Sequence, residues 1–349
     1  MKIDNVDISF SDILIDPQYS EVESRSTVNI SSNLGFTVLN LPIISSNMPS
    51  ITEYKMAIEM FNHGGMGILH RFYSVEDAVE DFKKAKENID ATGKDASKII
   101  GVSIGIKEED KYRFEKLYEA GARVITVDVA HANSLMARNM IDWLVRCGKD
   151  IKIIAGNVAT VEGALNLVDW GADVAKVGIG GGSICRTRSQ TGVGKTQLSA
   201  IMEIKKAFIE RKISNPIISD GGIKTAGDIC KALIFSDAVM VGAVLAGTSE
   251  TPGNAYPEPG TDLTNRTYYK MYGGNASMET KVNNGQIGRF VEGETKKIPF
   301  KGHVKYLLRE IDDSIRSALS YSNANNLEEY RKNVQWHIIS EGGKTESKF

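Results

Sequence analysis

The sequence predicts an α/β fold of the (β/α)8 TIM-barrel type, on three observations. Short apolar runs rich in Val and Ile recur eight times, amphipathic stretches separate them, and glycine-rich polar residues gather just after the C-terminal ends of many of the runs. The runs are 42–45, 66–69, 99–104, 124–129, 151–155, 174–177, 216–219 and 238–241. Each is four to six residues long with little polar alternation, the pattern of a strand buried on both faces. Helical spacing returns between them, as in the i, i+3, i+4 set Phe114, Leu117 and Tyr118 and the shorter pair Leu165 and Val168. A weak repeat supports the alternation. Gly121-Ala122-Arg123-Val124 and Gly171-Ala172-Asp173-Val174 lie 50 residues apart, which is two strand–helix units of about 25 residues. Ser236-Asp237-Ala238-Val239 takes up the theme again. A doubly wound open sheet shares the alternation but gathers its glycines and polar residues at one switch point, whereas here they follow many strands.

The 349 residues read as one barrel domain, 1–349, with additions. Residues 1–40 form an irregular N-terminal arm with short strands. Residues 178–197, after the sixth strand, are a long loop dense in Gly, Ser and Thr, and 253–302, after the eighth, are polar and rich in Gly and Asn. Loops of this length in a compact domain are functional or disordered, and 253–302 is read as a flap. Val304, Leu307, Leu308, Ile311 and Ile315 restore helical spacing, and 340–349 read as a disordered tail.

Composition excludes several classes. Lys+Arg of 42 against Asp+Glu of 44 gives a net charge of −2, with no electrostatic footprint for nucleic acid. No apolar run is long enough for a membrane span. The acidic start lacks a signal-peptide core, and Ser347-Lys348-Phe349 departs from the peroxisomal signal at its last residue. Three cysteines, Cys147, Cys185 and Cys230, do not make a disulfide framework. A cytoplasmic protein is expected.

The loop 178–197 resembles two nucleotide motifs and matches neither. Gly194-Lys195-Thr196 lacks the P-loop glycine five residues upstream, where Ser189 stands, and Gly178-x-Gly180 has Ser183 at its third glycine position. What remains is a flexible loop at a strand's C-terminal end carrying Cys185, flanked by Arg186 and Arg188. Backbone N–H groups and neighbouring cations lower a thiol's pKa and make it a nucleophile. A small buried cysteine is the equal alternative. Cys230, in a helical pattern, and Cys147, at a helix end, are read as structural. Ser219-Asp220-Gly221-Gly222 and Val241-Gly242-Ala243 follow the seventh and eighth strands, where such barrels frequently hold phosphate on backbone N–H groups. Asp220 suits a ribose diol. The five histidines, His63, His70, His131, His303 and His337, show no metal-ligand spacing, while His70, His131 and Asp128 follow strand ends and can line the pocket. The residues alone point to a barrel enzyme with a thiol nucleophile and a phosphorylated ligand.

Taken together these segments resemble the IMP dehydrogenase/GMP reductase family. Five motifs carry the resemblance in order, as far as about Tyr321: Asp12-Ile-Leu-Ile, Gly178-Ile-Gly-Gly-Gly-Ser-Ile-Cys-Arg-Thr, Thr191-Gly-Val-Gly, Ser219-Asp-Gly-Gly and Phe300-Lys-Gly. The segment from Tyr272 to Gly293 lacks the Arg-Tyr pair of the dehydrogenase flap and is similar to the reductase motif Arg-x-x-Glu-Gly. About thirty residues separate the second and third strands, so no regulatory module is inserted there.

The resemblance implies the reductase reaction, in which GMP and NADPH give IMP, ammonia and NADP⁺ through a covalent thioimidate between Cys185 and C2 of the purine. Thr187 and Glu292 match the pair that protonates the leaving amine. Ser183, Asp220, Gly221, Gly222, Gly242, Ala243, Gly273, Gly274, Asn275, Arg289 and Gly293 are implied to hold the nucleotide. Arg71, Asp128, Val129, Ala130, Ile179 and Gly180 are implied to border the cofactor, with Ser24, Arg25 and Ser317 reaching it from a flank or a neighbouring subunit. The carbonyls of Gly180, Gly182 and Cys185 match a potassium site, and a homotetramer is the family's assembly. The chain departs from the family at Arg186 for Thr, Gly181 for Pro, Ala243 for Gly, Gly274-Asn275 for Met-Ser, and Lys195-Thr196 for an aromatic or Val followed by Pro. These departures bear on loop motion, ion dependence and base specificity. The alternatives are IMP dehydrogenase chemistry, a purine-nucleotide-binding barrel without turnover, and a barrel enzyme acting on another phosphorylated substrate.

Overall fold

The computed structural model describes residues 6–259, 266–273 and 294–346. Eight parallel strands close into a barrel: β1 (Ile43–Ser45), β2 (Met66–Leu69), β3 (Ile100–Ile104), β4 (Val124–Asp128), β5 (Lys152–Val158), β6 (Val174–Val177), β7 (Ile217–Asp220) and β8 (Ala238–Val241). Their order around the barrel is their order in the chain. β8 pairs back onto β1 through Val239 with Ile43 and Met240 with Ile44, so no edge is left open. The helices between and after them are α1 (Tyr54–Asn62), α2 (Val75–Asp90), α3 (Glu108–Glu119), α4 (Leu135–Arg146), α5 (Val161–Asp169), α6 (Gln197–Glu210), α7 (Ala226–Leu233) and α8 (Val304–Tyr321). A single helix, α2, and one 3-10 turn fill the connection from β2 to β3.

Each apolar run becomes a strand because both of its faces are covered. One face meets the helices and the other lines the barrel interior. The strand–helix turns are set by side chains that accept the first free helical N–H groups. Ser74 takes Asp77 N (3.0 Å), Thr160 takes Gly163 N (3.1 Å) and Thr225 takes Asp228 N (3.2 Å); each such cap contributes about 1 kcal/mol. The repeat seen in the sequence is a helix stop. Gly121 and Gly171 both adopt φ +107°, and the following Ala122 and Ala172 donate to Leu117 O and Leu167 O at 3.0 Å. Asp173 and Asp237 share a second job, each accepting an N–H within the first two residues of a strand, Ile153 N (2.8 Å) and Ile217 N (2.9 Å).

The interior changes character from bottom to top. Ile44, Met66, Ile68, Val124, Ile154, Val174, Ile218 and Met240 fill the lower barrel, plugged by Leu34 and Leu39 from the paired segments Ser32–Asn33 and Val38–Leu39. Towards the C-terminal ends of the strands buried polar residues take over, among them Ser103, Asp128 and Lys176. β5 runs past the expected end at Ala155 to Val158. Asn157, which interrupts the apolar run, spends its amide on Gly178 O (2.6 Å) and lets pairing with β6 continue.

Two expectations outside the barrel change. The region 253–302 carries a three-stranded antiparallel sheet of Tyr256–Pro257, Tyr268–Gly273 and Thr295–Pro299. The tail expected to be disordered from Ser340 is helical over Glu341–Glu346. Its order comes from the N-terminal arm: Ile13–Ile15 pairs with Trp336–Ile338, Ile339 N donates to Asp12 O (2.9 Å), and Lys344 Nζ lies 2.5 Å from Asp12 Oδ1. Burial works to raise the Asp12 carboxyl, but hydrogen bonds from Lys344 and Ser9 hold it at about 2. Among the described residues no helix is long and apolar enough to cross a membrane.

Candidate active site

Cys185 lies on the loop after β6, exposed at the C-terminal face of the barrel. Its N–H donates to Gly182 O (3.0 Å), and its Sγ lies 3.2 Å from the Oγ1 of Thr187, which begins a short helix, Thr187–Thr191. The flanking arginines do not serve the thiol as the sequence suggested. Arg186 pairs with Glu294 at 2.6 Å. Arg188 folds back under the loop, where it donates to Ile179 O (3.2 Å) and to Lys195 O. Gly180 (φ +76°) and Gly194 (φ +155°) leave it room, since a Cβ on either would come within 2.7 Å of the arginine's Cγ. The structure therefore uses Arg188 to close the loop. Glu294 also donates its N–H to Ile184 O (3.1 Å), tying the sheet of 253–302 to the residue before the cysteine.

Beneath this loop lies a buried polar network. The Nζ of Lys176, on β6, is 3.0 Å from Asp128 Oδ1 at the end of β4 and 3.3 Å from Asp220 Oδ2 at the end of β7, and it donates to Asn157 Oδ1. Asn157 Nδ2 donates to Asp220 Oδ2 (2.8 Å). Burial disfavours both charges, yet the Asp128 carboxyl is held below its usual range by Lys176 and Arg71, and the two carboxylates hold the Lys176 ammonium above its own. Asp128 is thus an ionised acceptor at the mouth of the barrel.

The glycine motifs after β7 and β8 differ in use. Gly222 N donates to Gly181 O (2.9 Å), and a Cβ on Gly221 would lie 3.3 Å from the Gly181–Gly182 backbone. Gly221 and Gly222 thus let two loops meet backbone to backbone, a demand separate from any phosphate. Gly242 opens a tight turn, with Leu245 N (3.0 Å) and Ala246 N (2.9 Å) on its carbonyl, while Lys301 Nζ donates to Ala243 O (3.3 Å) and Val244 O (2.9 Å).

Sequence reasoning missed Lys176, Asn157, Ser50 and Tyr272. Ser50 Oγ donates to Gly273 O (2.8 Å). Tyr272 is buried beside Ser183 and Gly242. Burial and the charge of Asp220 push its phenol up, against a hydrogen bond with Ser183. Ser183, Asp220, Gly242 and Gly273 are therefore brought into one neighbourhood.

Arg71, Asp128 and Val129 also come together, while Ile179 and Gly180 pack against Arg188 of their own loop. Arg71 Nε lies 3.9 Å from Asp128 Oδ2, and Val129 N donates to Gly156 O (3.0 Å) beside Ala130. Ser24, Arg25 and Ser317 do not join them. Arg25 donates to Tyr321 Oη (2.9 Å) at the far end of α8, and Ser317 donates to Asp313 O (2.7 Å) on the same helix. At 1.5 Å per residue this places Ser317 about 20 Å down α8 from its start. Glu292, Gly274, Asn275, Arg289 and Gly293 lie outside the described residues.

A nicotinamide cofactor fits the first of these groups. Arg71 Nε is buried without a hydrogen-bond partner and stands beside the Asp128 carboxylate, so an unspent donor and an acceptor face the same space. The Gly182 carbonyl accepts from Cys185 N, which leaves its second lone pair open to a cation. No group of three or more His, Cys, Asp or Glu stands ready for a metal among the described residues.

The family model for the IMP dehydrogenase / GMP reductase domain matches residues 7–349. The chain belongs to that family. Among its relatives of this family, a GMP reductase from Albidiferax ferrireducens is 35% identical, with 93% of each chain covered. An inosine-5'-monophosphate dehydrogenase from Cryptosporidium parvum is 34% identical over 97% of this chain and 94% of its own. The crystal structure of GMP reductase C318A from Trypanosoma brucei in complex with guanosine 5'-monophosphate superposes with a TM-score of 0.89 at 26% identity, covering 99% of this chain and 98% of that one. Membership makes the protein an oxidoreductase of the IMP dehydrogenase or GMP reductase type, a family that uses a nicotinamide cofactor.

Proposed function

We propose that the chain is a GMP reductase, converting GMP, NADPH and a proton into IMP, ammonia and NADP⁺. The observation that carries the reading is the exposed Cys185 thiol with the Thr187 hydroxyl at 3.2 Å, above the carboxylates of Asp128 and Asp220. It draws further support from relatives named GMP reductase that match this chain over nearly their full length, and from a structural neighbour that binds GMP.

In this mechanism the Cys185 thiolate adds to C2 of the purine while Thr187, with Glu292, delivers a proton to the exocyclic nitrogen. The C2–N bond breaks and ammonia leaves, giving the thioimidate. A nicotinamide held by Arg71 and Asp128 would supply the hydride that C2 requires. The C2–S bond then breaks and returns the electron pair to sulfur. Positioned proton transfer of this kind is worth about 10²–10⁴ in rate. Asp220 accepts the ribose hydroxyls, the turn at Gly242 and Ala243 faces the phosphate, and Ser183 with Tyr272 closes that side. Arg71 and Asp128 orient the cofactor. Ser24 and Arg25 on the N-terminal arm and Ser317 near the end of α8 reach a cofactor held by a neighbouring copy in a cytoplasmic homotetramer. No step passes through a cation.

The two chemistries of the family separate in one paired assay. Incubation with GMP and NADPH is expected to consume NADPH and release ammonia, and incubation with IMP, NAD⁺ and water is expected to be silent. Turnover only in the second would assign the protein to IMP dehydrogenase chemistry. Tight GMP binding that survives Cys185→Ala, with no turnover in either assay, would assign it to binding alone.

A further inference from the structure

We propose that Lys176 is a positioning residue for both halves of the site, its one ammonium aligning the carboxylate that faces the nucleotide and the carboxylate that faces the cofactor. The inference rests on the functional reading above, in which Asp220 serves the ribose and Asp128 the cofactor. Lys176 points into the barrel from β6 and is 1% exposed, so its charge has no access to water. Its Nζ lies 3.0 Å from Asp128 and 3.3 Å from Asp220, two residues delivered by different strands on either side of it. The fold makes room for it at Gly156 on β5, where a Cβ would lie 2.6 Å from the Lys176 Cβ. Asn157 completes the set, contacting Lys176 through its oxygen and Asp220 and Gly178 O through its nitrogen.

Physical cost argues that this ammonium is there for the carboxylates. The lower barrel interior is filled by aliphatic side chains, and a buried ion pair is seldom more stabilising than apolar residues of the same volume. What the charge provides is the ionised state of its neighbours. An ionised carboxylate offers acceptors alone to ribose hydroxyls or an amide NH₂; once protonated, one of its oxygens becomes a competing donor. Among the described residues the charged groups facing the pair are Lys176 itself and Arg71, at 3.9 Å from Asp128, and the Tyr272 phenol lies on the Asp220 side. Without Lys176, Asp220 keeps no cation within ion-pair distance among the described residues, and the two carboxylates share a low-dielectric site that disfavours ionising both.

The test is calorimetric binding of GMP and of NADP⁺, measured separately, to the intact protein and to K176M, K176R, D128N and K176M/D128N, with thermal melting as the folding control. K176M is expected to weaken both ligands by about tenfold or more, because one uncompensated buried charge is costly. K176R is expected to restore both to within a few-fold. The double variant is expected to recover GMP affinity but not NADP⁺ affinity, since removing one carboxylate relieves the other. A structural role alone does not produce that selective recovery. A folded K176M that binds either ligand as the intact protein does, or a double variant that binds GMP no better than K176M, overturns the proposal. If K176M does not fold, K176Q keeps a hydrogen-bond donor without the charge and carries the same expectations. Absence of GMP binding in the unaltered protein would overturn the functional reading along with it, whereas failure in the variants alone would overturn only the role of Lys176.

Discussion

Cys185 Sγ and Thr187 Oγ1 stand 3.2 Å apart across the turn into the short helix Thr187–Thr191, within hydrogen-bond reach for sulfur. A hydroxyl so placed can hand protons between the thiol and a leaving group. Cys185→Ala is expected to abolish turnover while GMP still binds. Thr187→Ala is expected to lower kcat by about 10²–10⁴, yet leave Cys185 open to labelling by a 2- or 6-halogenated purine nucleotide. Steady-state kinetics beside peptide mass mapping of the label checks both; a Thr187→Ala enzyme of normal kcat would remove the residue from the mechanism.

The cysteines differ in what surrounds them. Cys230 is buried, and desolvation pushes its thiol up to about 12, so at neutral pH it is a protonated core residue. Cys185 is exposed on its loop. Brief alkylation of the native protein is expected to modify Cys185 ahead of Cys230 and to inactivate in step with that modification, with GMP protecting. Inactivation that tracks Cys230 would contradict this.

Gly178 holds the joint between β6 and the Cys185 loop. It has φ +149°, and a Cβ there would fall 1.8 Å from Asp220 O. Gly178→Ala is expected to cost about 1–3 kcal/mol from the backbone alone, and more from the clash, lowering the melting temperature and activity together. Gly227→Ala, inside α7 with nothing nearer than Thr225 Oγ1 at 3.6 Å, is expected to hold or raise the melting temperature. The contrast shows that the first effect is local to the Gly178 joint.

Eight strands were legible because each is an apolar run that needs cover on both faces, and the helix stops at Gly121 and Gly171 because a left-handed turn favours glycine. The thiol loop was legible because its glycines and cysteine share one segment. The charges were not. Arg186 and Arg188 flank Cys185 in sequence, but one reaches Glu294 and the other turns beneath Gly180, and adjacency along the chain carries no sign of either. Lys176 did leave a trace, as a lone cation inside the run Val174–Val177; its partners, Asp128 and Asp220, come from two other strands and meet it only once the barrel closes. The helix at Glu341–Glu346 was missed for the same reason, since its partner Asp12 lies at the other end of the chain.

Arg186 and Glu294 join the Cys185 loop to the sheet of 253–302 with an ion pair of 2.6 Å, beside the Glu294 N–H bond to Ile184. Lys296 first, and Arg186 with it, keep the Glu294 carboxyl below its usual range. Both side chains are partly open to water, so the pair contributes little to global stability. Arg186→Gln and Glu294→Gln are each expected to lower kcat/KM by about two- to fivefold without a large shift in melting temperature. The double variant should be no worse than either single one. Raising salt from roughly 0.1 M to 1 M should erase the difference from the unaltered protein. Fully additive losses would mean that the two residues act separately.

Asp81, on α2, is buried where it accepts Tyr54 N (3.0 Å) and Tyr73 Oη (3.5 Å). Burial first, and the nearby charge of Glu53 second, raise its carboxyl to about 7, against weaker opposing effects from Tyr54 N, Lys84 and Tyr73. An unfolded Asp loses its proton near 3.9. Between about 4 and 7 the folded protein therefore binds more protons at this residue than the unfolded chain, so its contribution to stability falls as pH rises and levels off above the folded value. Asp81→Asn keeps an acceptor for Tyr54 N and cannot ionise. Denaturant midpoints across this range are expected to show the variant gaining on the unaltered protein from pH 4 to 7 and the gap then holding constant. A gap that does not change with pH would mean that Asp81 titrates in the ordinary carboxylate range.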